Sequence, residues 1–158
     1  MPSRATIEKL IYQFNSIVYG DFLSVKGNGT KDNPWILKTP SGTSEYKAYK
    51  DETANPPAIV VWVGKTELKY HLRGIDDLHK MLKKNGDWIP LGSADEQKPV
   101  EKGTVEAWAR ASDNPVGGWY GLKKGLRGRF ANYIPPILEA LDLAEVEHNP
   151  RNNRMRAK

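Results

Sequence analysis

The chain has 158 residues, a net charge of +5 and no cysteine. This length suits one domain that removes roughly two-thirds of its unfolded surface from water, and 39% hydrophobic residues with five tryptophans exclude a disordered chain. The lack of cysteine excludes a disulfide framework and a thiolate nucleophile or metal site. No apolar run approaches the ~20 residues of a membrane-spanning helix, and the N-terminus has no signal-peptide core. We therefore expect a cytoplasmic protein without a membrane partner.

The first predicted elements are a helix and two strands. Apolar residues recur at helical spacing over residues 7–18, with polar residues between them, which predicts an amphipathic helix. Residues 35–39 and 45–49 read as strands, and a Pro-Ser-Gly turn separates them.

Two further strands complete a predicted antiparallel sheet of about four strands. Residues 58–63 are continuously apolar and mostly β-branched, which predicts a central strand buried on both faces, with Trp62 in the core. Residues 67–72 alternate between apolar and polar side chains and predict a hairpin partner.

A second helix is predicted over residues 74–84, with Gly86 at its C-terminal end. Residues 92–103 are polar and charged, and Thr104 caps a short third helix that runs to residue 111. The predicted organisation is a sheet domain at residues 1–91, a linker or surface loop at 92–103, and a helical part with a terminal hairpin at 104–158, which packs separately or as one domain with the first part. The expected fold class is α+β.

The last quarter of the chain carries most of the positive charge. Residues 119–158 hold eight basic and four acidic residues, and residues 117–130 interleave glycine, basic and aromatic side chains. Helical spacing then continues to Leu141, but Pro135-Pro136 interrupts it. Because a residue before proline avoids the α region, we expect two short helices that meet near Ile134.

The closing residues 144–158 predict a hairpin with its turn at residues 149–152. Its expected register places two pairs of opposite charges across the ladder, Glu145 with Arg156 and Glu147 with Arg154. Within the hairpin only Arg151 and Lys158 then remain unpaired.

The order of short helix, bend, short helix and hairpin resembles the end of a winged-helix domain. In such a domain the second helix enters the major groove. Here the corresponding residues 136–143 include Glu139 and Asp142 and no lysine or arginine. The pattern therefore disfavours a recognition helix and leaves the basic residues on the helix before it.

Enzyme motifs are absent from the sequence. Gly64-Lys65-Thr66 lacks the earlier glycine of a phosphate-binding loop, and the histidines, such as His71 and His79, lack metal-ligand spacing. We predict no catalytic residue, no metal and no cofactor.

The leading hypothesis is a small non-enzymatic binding domain that contacts nucleic-acid phosphates without sequence preference. The candidate contacts are Lys123, Lys124, Arg127, Arg129 and Arg151, with Trp119 stacking on a base. Three alternatives remain: a solvated basic face without a ligand, a protein-interaction or accessory module that uses the sheet or the surface of residues 119–130, and an enzyme whose site is assembled from distant residues.

Overall fold

The structure is a computed structural model that describes residues 25–158. The helix predicted over residues 7–18 lies outside the described residues. The strands are β1 (Trp35–Lys38), β2 (Glu45–Asp51), β3 (Ala58–Val63), β4 (Thr66–His71), β5 (Ile89–Pro90), β6 (Ala144–Val146) and β7 (Arg154–Ala157). The helices are α1 (Gly74–Asn85), α2 (Val105–Trp108), α3 (Phe130–Tyr133) and α4 (Pro135–Ala140). The predicted α+β class is confirmed.

Strands β1 to β4 form one antiparallel sheet in chain order. The alternation predicted for β4 is confirmed, because Leu68 and Tyr70 are buried while Glu67 and Lys69 are partly exposed. Since successive side chains point to opposite faces of a sheet, the sheet has an inner face on the core and an outer face that carries Glu67 and Lys69.

Helix α1 packs against β7 and α4, and it ends as predicted. Gly86 adopts the left-handed conformation with φ 74°, and its backbone N–H donates to the Leu82 carbonyl at 3.0 Å. Leu78 and Leu82 lie in a core that also contains Ile137 and Met155 from the C-terminal part. The core thus takes side chains from both sides of the predicted loop, and the proposed domain boundaries stay a prediction.

The short helices follow their predicted start and break signals. Thr104 caps α2, since its hydroxyl accepts a hydrogen bond from the Ala107 N–H at 3.1 Å. The helix ends at Trp108, earlier than predicted. Helices α3 and α4 meet at Ile134, in front of Pro135, which confirms the predicted break.

The C-terminal hairpin has the predicted register. Glu145 lies opposite Arg156, and the Glu147 N–H donates to the Arg154 carbonyl at 2.9 Å. Both pairs form ion pairs, at 3.1 and 2.9 Å respectively. Strand β7 also pairs with β5, which gives a second sheet in the order β5-β7-β6.

The tail departs from the prediction at its last residue. Lys158 was expected to remain unpaired, but its ammonium contacts the Asp142 carboxylate, and its backbone N–H donates to the Leu143 carbonyl at 3.0 Å. The acidic partner precedes the hairpin, so the register alone could not predict this pair. Arg151 lies exposed in the hairpin turn, as expected.

The predicted burial of β3 on both faces is wrong at Trp62, which is 36% exposed. Trp62 shares the outer face with Val60, which is buried, and it lies directly between Lys47 on β2 and Glu67 on β4. Its exposure follows from its position next to the last residue of the strand, at the end of the sheet that carries the β3–β4 turn.

Residues 121–129 form a loop, so the helix predicted for the basic residues is wrong there. The loop begins as an extension of the sheet, because the Leu122 N–H donates to the Lys69 carbonyl at 2.8 Å. Glycine favours neither helix nor strand, and here it allows close backbone contact. A side chain at Gly128 would overlap the backbone of residues 94–96.

The resemblance to a winged-helix domain remains a likeness in element order. Helix α4 has six residues, of which Pro136, Ile137 and Leu138 are buried. A helix that turns these residues into the core offers little surface to a DNA groove.

One buried carboxylate joins α2 to α3. Glu106 is 1% exposed and accepts hydrogen bonds from the backbone N–H groups of Ala131 at 2.9 Å and Phe130 at 3.3 Å, and from the Arg110 guanidinium at 3.3 Å. Burial raises the pKa of this carboxyl, while the Ala131 amide and Arg110 act in the opposite direction. The charge is therefore tolerated only while these donors surround it.

We predict that Glu106→Ala lowers the free energy of unfolding by about 3–5 kcal/mol, since it removes the ion-pair partner of Arg110 and leaves two buried amides without an acceptor. Glu106→Gln keeps the shape and part of the hydrogen bonding and should cost less. Urea unfolding measures both variants, and Glu101→Ala, at an exposed position, is the matched control with a change within about 0.5 kcal/mol. Equal stability of Glu106→Ala and the control would contradict the prediction.

Candidate nucleic-acid interface

The structure brings most of the predicted contact residues into one loop. Lys123, Lys124, Arg127 and Arg129 lie between the end of the sheet and the start of α3, and Trp119 lies two residues before residue 121, where this loop begins. Arg151 lies in the hairpin turn of the other sheet. No hydrogen bond or ion pair within residues 25–158 joins Arg151 to the loop.

A carboxylate from residues 92–103 holds the centre of the loop. Glu96 accepts hydrogen bonds from the backbone N–H groups of Gly125 at 3.1 Å and Arg127 at 3.0 Å, and from Arg127 Nε at 2.5 Å. These donors, with the Arg127 side chain first, lower the pKa of Glu96. Arg127 is therefore part of the loop's own scaffold.

Arg129 is fixed in the same way. Its guanidinium contacts the Asp95 carboxylate, which raises the pKa of Arg129 and lowers that of Asp95. Its backbone is left-handed, with φ 58°, and its N–H donates to the Ala94 carbonyl at 2.8 Å. The loop and the preceding acidic segment thus neutralise each other.

Trp119 also has partners within the chain. The guanidinium carbons of Arg110 and Arg127 lie 4.3 and 4.7 Å from its ring centroid, within the range of cation–π attraction. The ring is half-buried, so little of its surface is left for a nucleic-acid base.

The two lysines of the loop are held more weakly. Lys123 Nζ lies 3.6 Å from the Glu67 carboxylate, which also contacts Lys69 Nζ at 3.9 Å. Lys124 is exposed and has no ion pair with any residue of the described part of the chain. Since the one partly exposed carboxylate of Glu67 contacts two ammonium groups, this corner of the molecule keeps an excess of positive charge.

The sequence missed the surface that adjoins these lysines. Trp62 and Lys47 are exposed on the outer face of the sheet and lie opposite each other, with Lys69 one outward position beyond Glu67. The signal that was available is parity, because Trp62 must face away from the core if Val61 faces into it. The continuous apolar run masked that signal.

Residues 25–158 contain no group of three or more histidine, aspartate or glutamate side chains placed to hold a metal ion. None of the helices described in the structure has the length and apolar content to cross a membrane.

Comparison with known families gives one match. A model of the family of unknown function DUF6855 matches residues 27–158. The chain belongs to this family. The match covers both sheets and all four helices of the structure, so the DUF6855 domain includes the loop and the outer sheet face together. No curated protein and no solved structure matches the chain.

We predict that Glu96→Gln frees the loop of this DUF6855 domain. The variant loses the charge that holds the amides of Gly125 and Arg127, so their hydrogen exchange should accelerate, while Glu101→Gln leaves them unchanged. In the wild type these amides are held while Glu96 is ionised. Because the pKa of Glu96 in the folded protein lies below its ordinary value of 4.5, Glu96 is ionised throughout the range above pH 4.5. The stabilisation of the loop is lost only as the pH falls through the lowered pKa of the folded protein.

NMR measures both effects in one sample. The amide shifts of Gly125 and Arg127 should titrate together with a midpoint below 4.5. A midpoint at or above that value, or unchanged exchange in Glu96→Gln, would show that Glu96 does not hold the loop.

Proposed function

We propose that this chain is a non-enzymatic domain that binds single-stranded nucleic acid without sequence preference. The binding region is the sheet–loop surface, which consists of Lys47, Trp62, Lys69, Lys123 and Lys124. The observation that carries the proposal is Trp62, which is 36% exposed at one end of the outer sheet face and is flanked by lysines that continue into the basic loop.

The continuity of this surface supports the proposal. Trp62 lies across from Glu67, and the Glu67 carboxylate contacts both Lys69 and Lys123. The loop is attached to β4 by backbone hydrogen bonds, including the 2.8 Å bond from Leu122 to Lys69. An indole ring and several ammonium groups therefore lie on one side of the molecule, held by a rigid sheet.

The chemistry of these side chains favours an unpaired strand. A tryptophan ring stacks on a base of any sequence, and lysines track the phosphates beside it. Lysine contributes a point charge without the fixed fork of donors that reads guanine, so affinity without base selection is expected. A duplex has no free base face to offer Trp62.

The ion pairs with Glu67 do not prevent such binding. Both are partly exposed, at 3.6 and 3.9 Å, and surface pairs of this kind contribute little stability. A phosphate replaces the carboxylate at small cost. By contrast, Arg127, Arg129 and Trp119 stabilise the loop, and Arg151 lies outside the sheet–loop surface.

Fluorescence anisotropy with labelled mixed-sequence DNA and RNA strands tests the proposal. If Lys47, Lys69, Lys123 and Lys124 all contact phosphates, the slope of log K against log salt is about −2.8, from about 0.7 per contact on a single strand. A duplex of the same sequence should bind more weakly at equal salt.

Binding measurements on variants test which residues of the sheet–loop surface contact the strand. Trp62→Ala should cost about 1–3 kcal/mol of binding free energy, and Lys123→Ala/Lys124→Ala should reduce the salt slope by about 1.4. The matched control is Lys83→Ala/Lys84→Ala, which removes the same charge from the last turn of α1, a helix that packs against β7 and α4 and contributes no residue to the sheet–loop surface. Absence of binding at low salt, or equal losses in the test and control lysine variants, would overturn the proposal.

The exposure of Trp62 also favours a second candidate, a protein-interaction surface. A protein partner would lose affinity with Trp62→Ala but would lack the steep salt dependence of a polyanion. The salt titration therefore separates the two functions.

A further inference from the structure

A cleft of about 460 Å³ opens where β4 passes into α1. This volume lies within the range of small-molecule binding sites. One wall is Pro56-Pro57, held to the end of β4 by the hydrogen bond from the Leu72 N–H to the Pro57 carbonyl at 2.9 Å. The first turn of α1 also lines the cleft, through Ile75 and Asp76.

The basic groups of the cleft include one that is held in place. Arg73 Nε donates to Asp77 at 2.7 Å, and the same buried carboxylate accepts a hydrogen bond from the Tyr120 hydroxyl at 2.8 Å. The rest of the guanidinium remains exposed and keeps donors that Asp77 does not use. Lys50 also lines the cleft, and its ammonium lies 5.9 Å from the centroid of the Trp35 ring, where no carboxylate pairs with it among the described residues.

His71 lines the cleft with a ring that can both donate and accept. The imidazole packs edge-on against Tyr120, with 6.1 Å between ring centroids. Burial, and then the charge of Arg73, lower its pKa, which favours the neutral ring at pH 7. No hydrogen bond to this ring occurs within the residues that the structure describes.

Both basic and acidic side chains line the cleft, and this limits the kinds of ligand that fit it. Glu52 and Asp76 lie beside the basic groups. These carboxylates oppose a bare phosphate or sulfate, yet they accept hydrogen bonds from N–H groups. A ligand that fits both sets of groups carries an anionic phosphate, an amino group and a flat apolar part for the proline wall.

We propose that this cleft binds one nucleotide, with its phosphate at Lys50 and Arg73 and the amino group of its base at Glu52 and Asp76. The source of the nucleotide is either a free nucleoside monophosphate or the phosphorylated end of a strand. The second source rests on the proposed function. His71 follows Lys69 by two residues on the outer face of β4, about 7 Å along the strand, so the cleft adjoins the sheet–loop surface.

Calorimetry with AMP, UMP, adenosine and inorganic phosphate tests the ligand class. AMP should bind at least about tenfold more tightly than the other three, because UMP lacks the amino group, adenosine lacks the phosphate, and inorganic phosphate lacks the base. Lys50→Ala should weaken AMP binding by a similar factor, and Lys84→Ala should leave it unchanged. In NMR spectra AMP should shift the ring signals of His71 and not those of His79 on α1.

Anisotropy with 5′-phosphorylated and 5′-hydroxyl strands of one sequence identifies the source. Tighter binding of the phosphorylated strand, lost in Lys50→Ala, assigns the cleft to the strand end. AMP binding without this difference assigns it to the free nucleotide. If AMP gives no heat and no His71 shift, and the 5′-phosphate has no effect, the cleft proposal is overturned, even where strands still bind the sheet–loop surface. AMP binding without strand binding overturns the proposed function alone.

Discussion

The buried carboxyl group of Glu106 is the constraint on which the C-terminal half of the structure depends. Its carboxylate fixes the first amides of α3 and the guanidinium of Arg110. That guanidinium then donates to the carbonyls of Ala94 and Lys98, at 3.1 Å each, and lies over the Trp119 ring. Because a buried carboxylate is tolerated only with a full set of donors, the helix start, the acidic segment and the loop with Lys123 must adopt their positions together.

The same coupling explains why the basic and aromatic pattern of the C-terminal quarter misled the sequence-based assignment of contacts. Interleaved arginine and tryptophan are typical of nucleic-acid surfaces, yet in this fold the arginines stack on tryptophan within the chain. Arg110 and Arg127 lie over Trp119, and Arg154 and Arg156 lie over Trp88. Composition cannot distinguish an arginine that is available to bind a phosphate from one that is already paired within the chain. Arg127 is paired with Glu96, which lies 31 residues away in the sequence.

The features that the sequence predicted correctly depend on interactions between residues close together in the chain. The hairpin register follows from alternation and from two charge pairs that a slip would break, and the break at Ile134 follows from the proline after it. What it missed depends on distant contacts or on position within a strand. The loop of residues 121–129 is set by its packing against residues 94–96, and Trp62 lies at the end of an apolar strand whose other members are buried or partly buried. Both errors concern the candidate site, where the tertiary arrangement decides which side chains are exposed.

Arginines and lysines differ in how many of them form ion pairs within the described part of the chain. Of the seven arginines in residues 25–158, six form ion pairs within the chain, and Arg151 is the exception. Arginine suits such fixed contacts because its planar fork bonds a carboxylate in a defined geometry. Lys47 and Lys124 have no ion pair within the described residues, and Lys69 and Lys123 share one carboxylate. Flexible point charges around one exposed indole ring are the side chains that the proposed nucleic-acid surface requires.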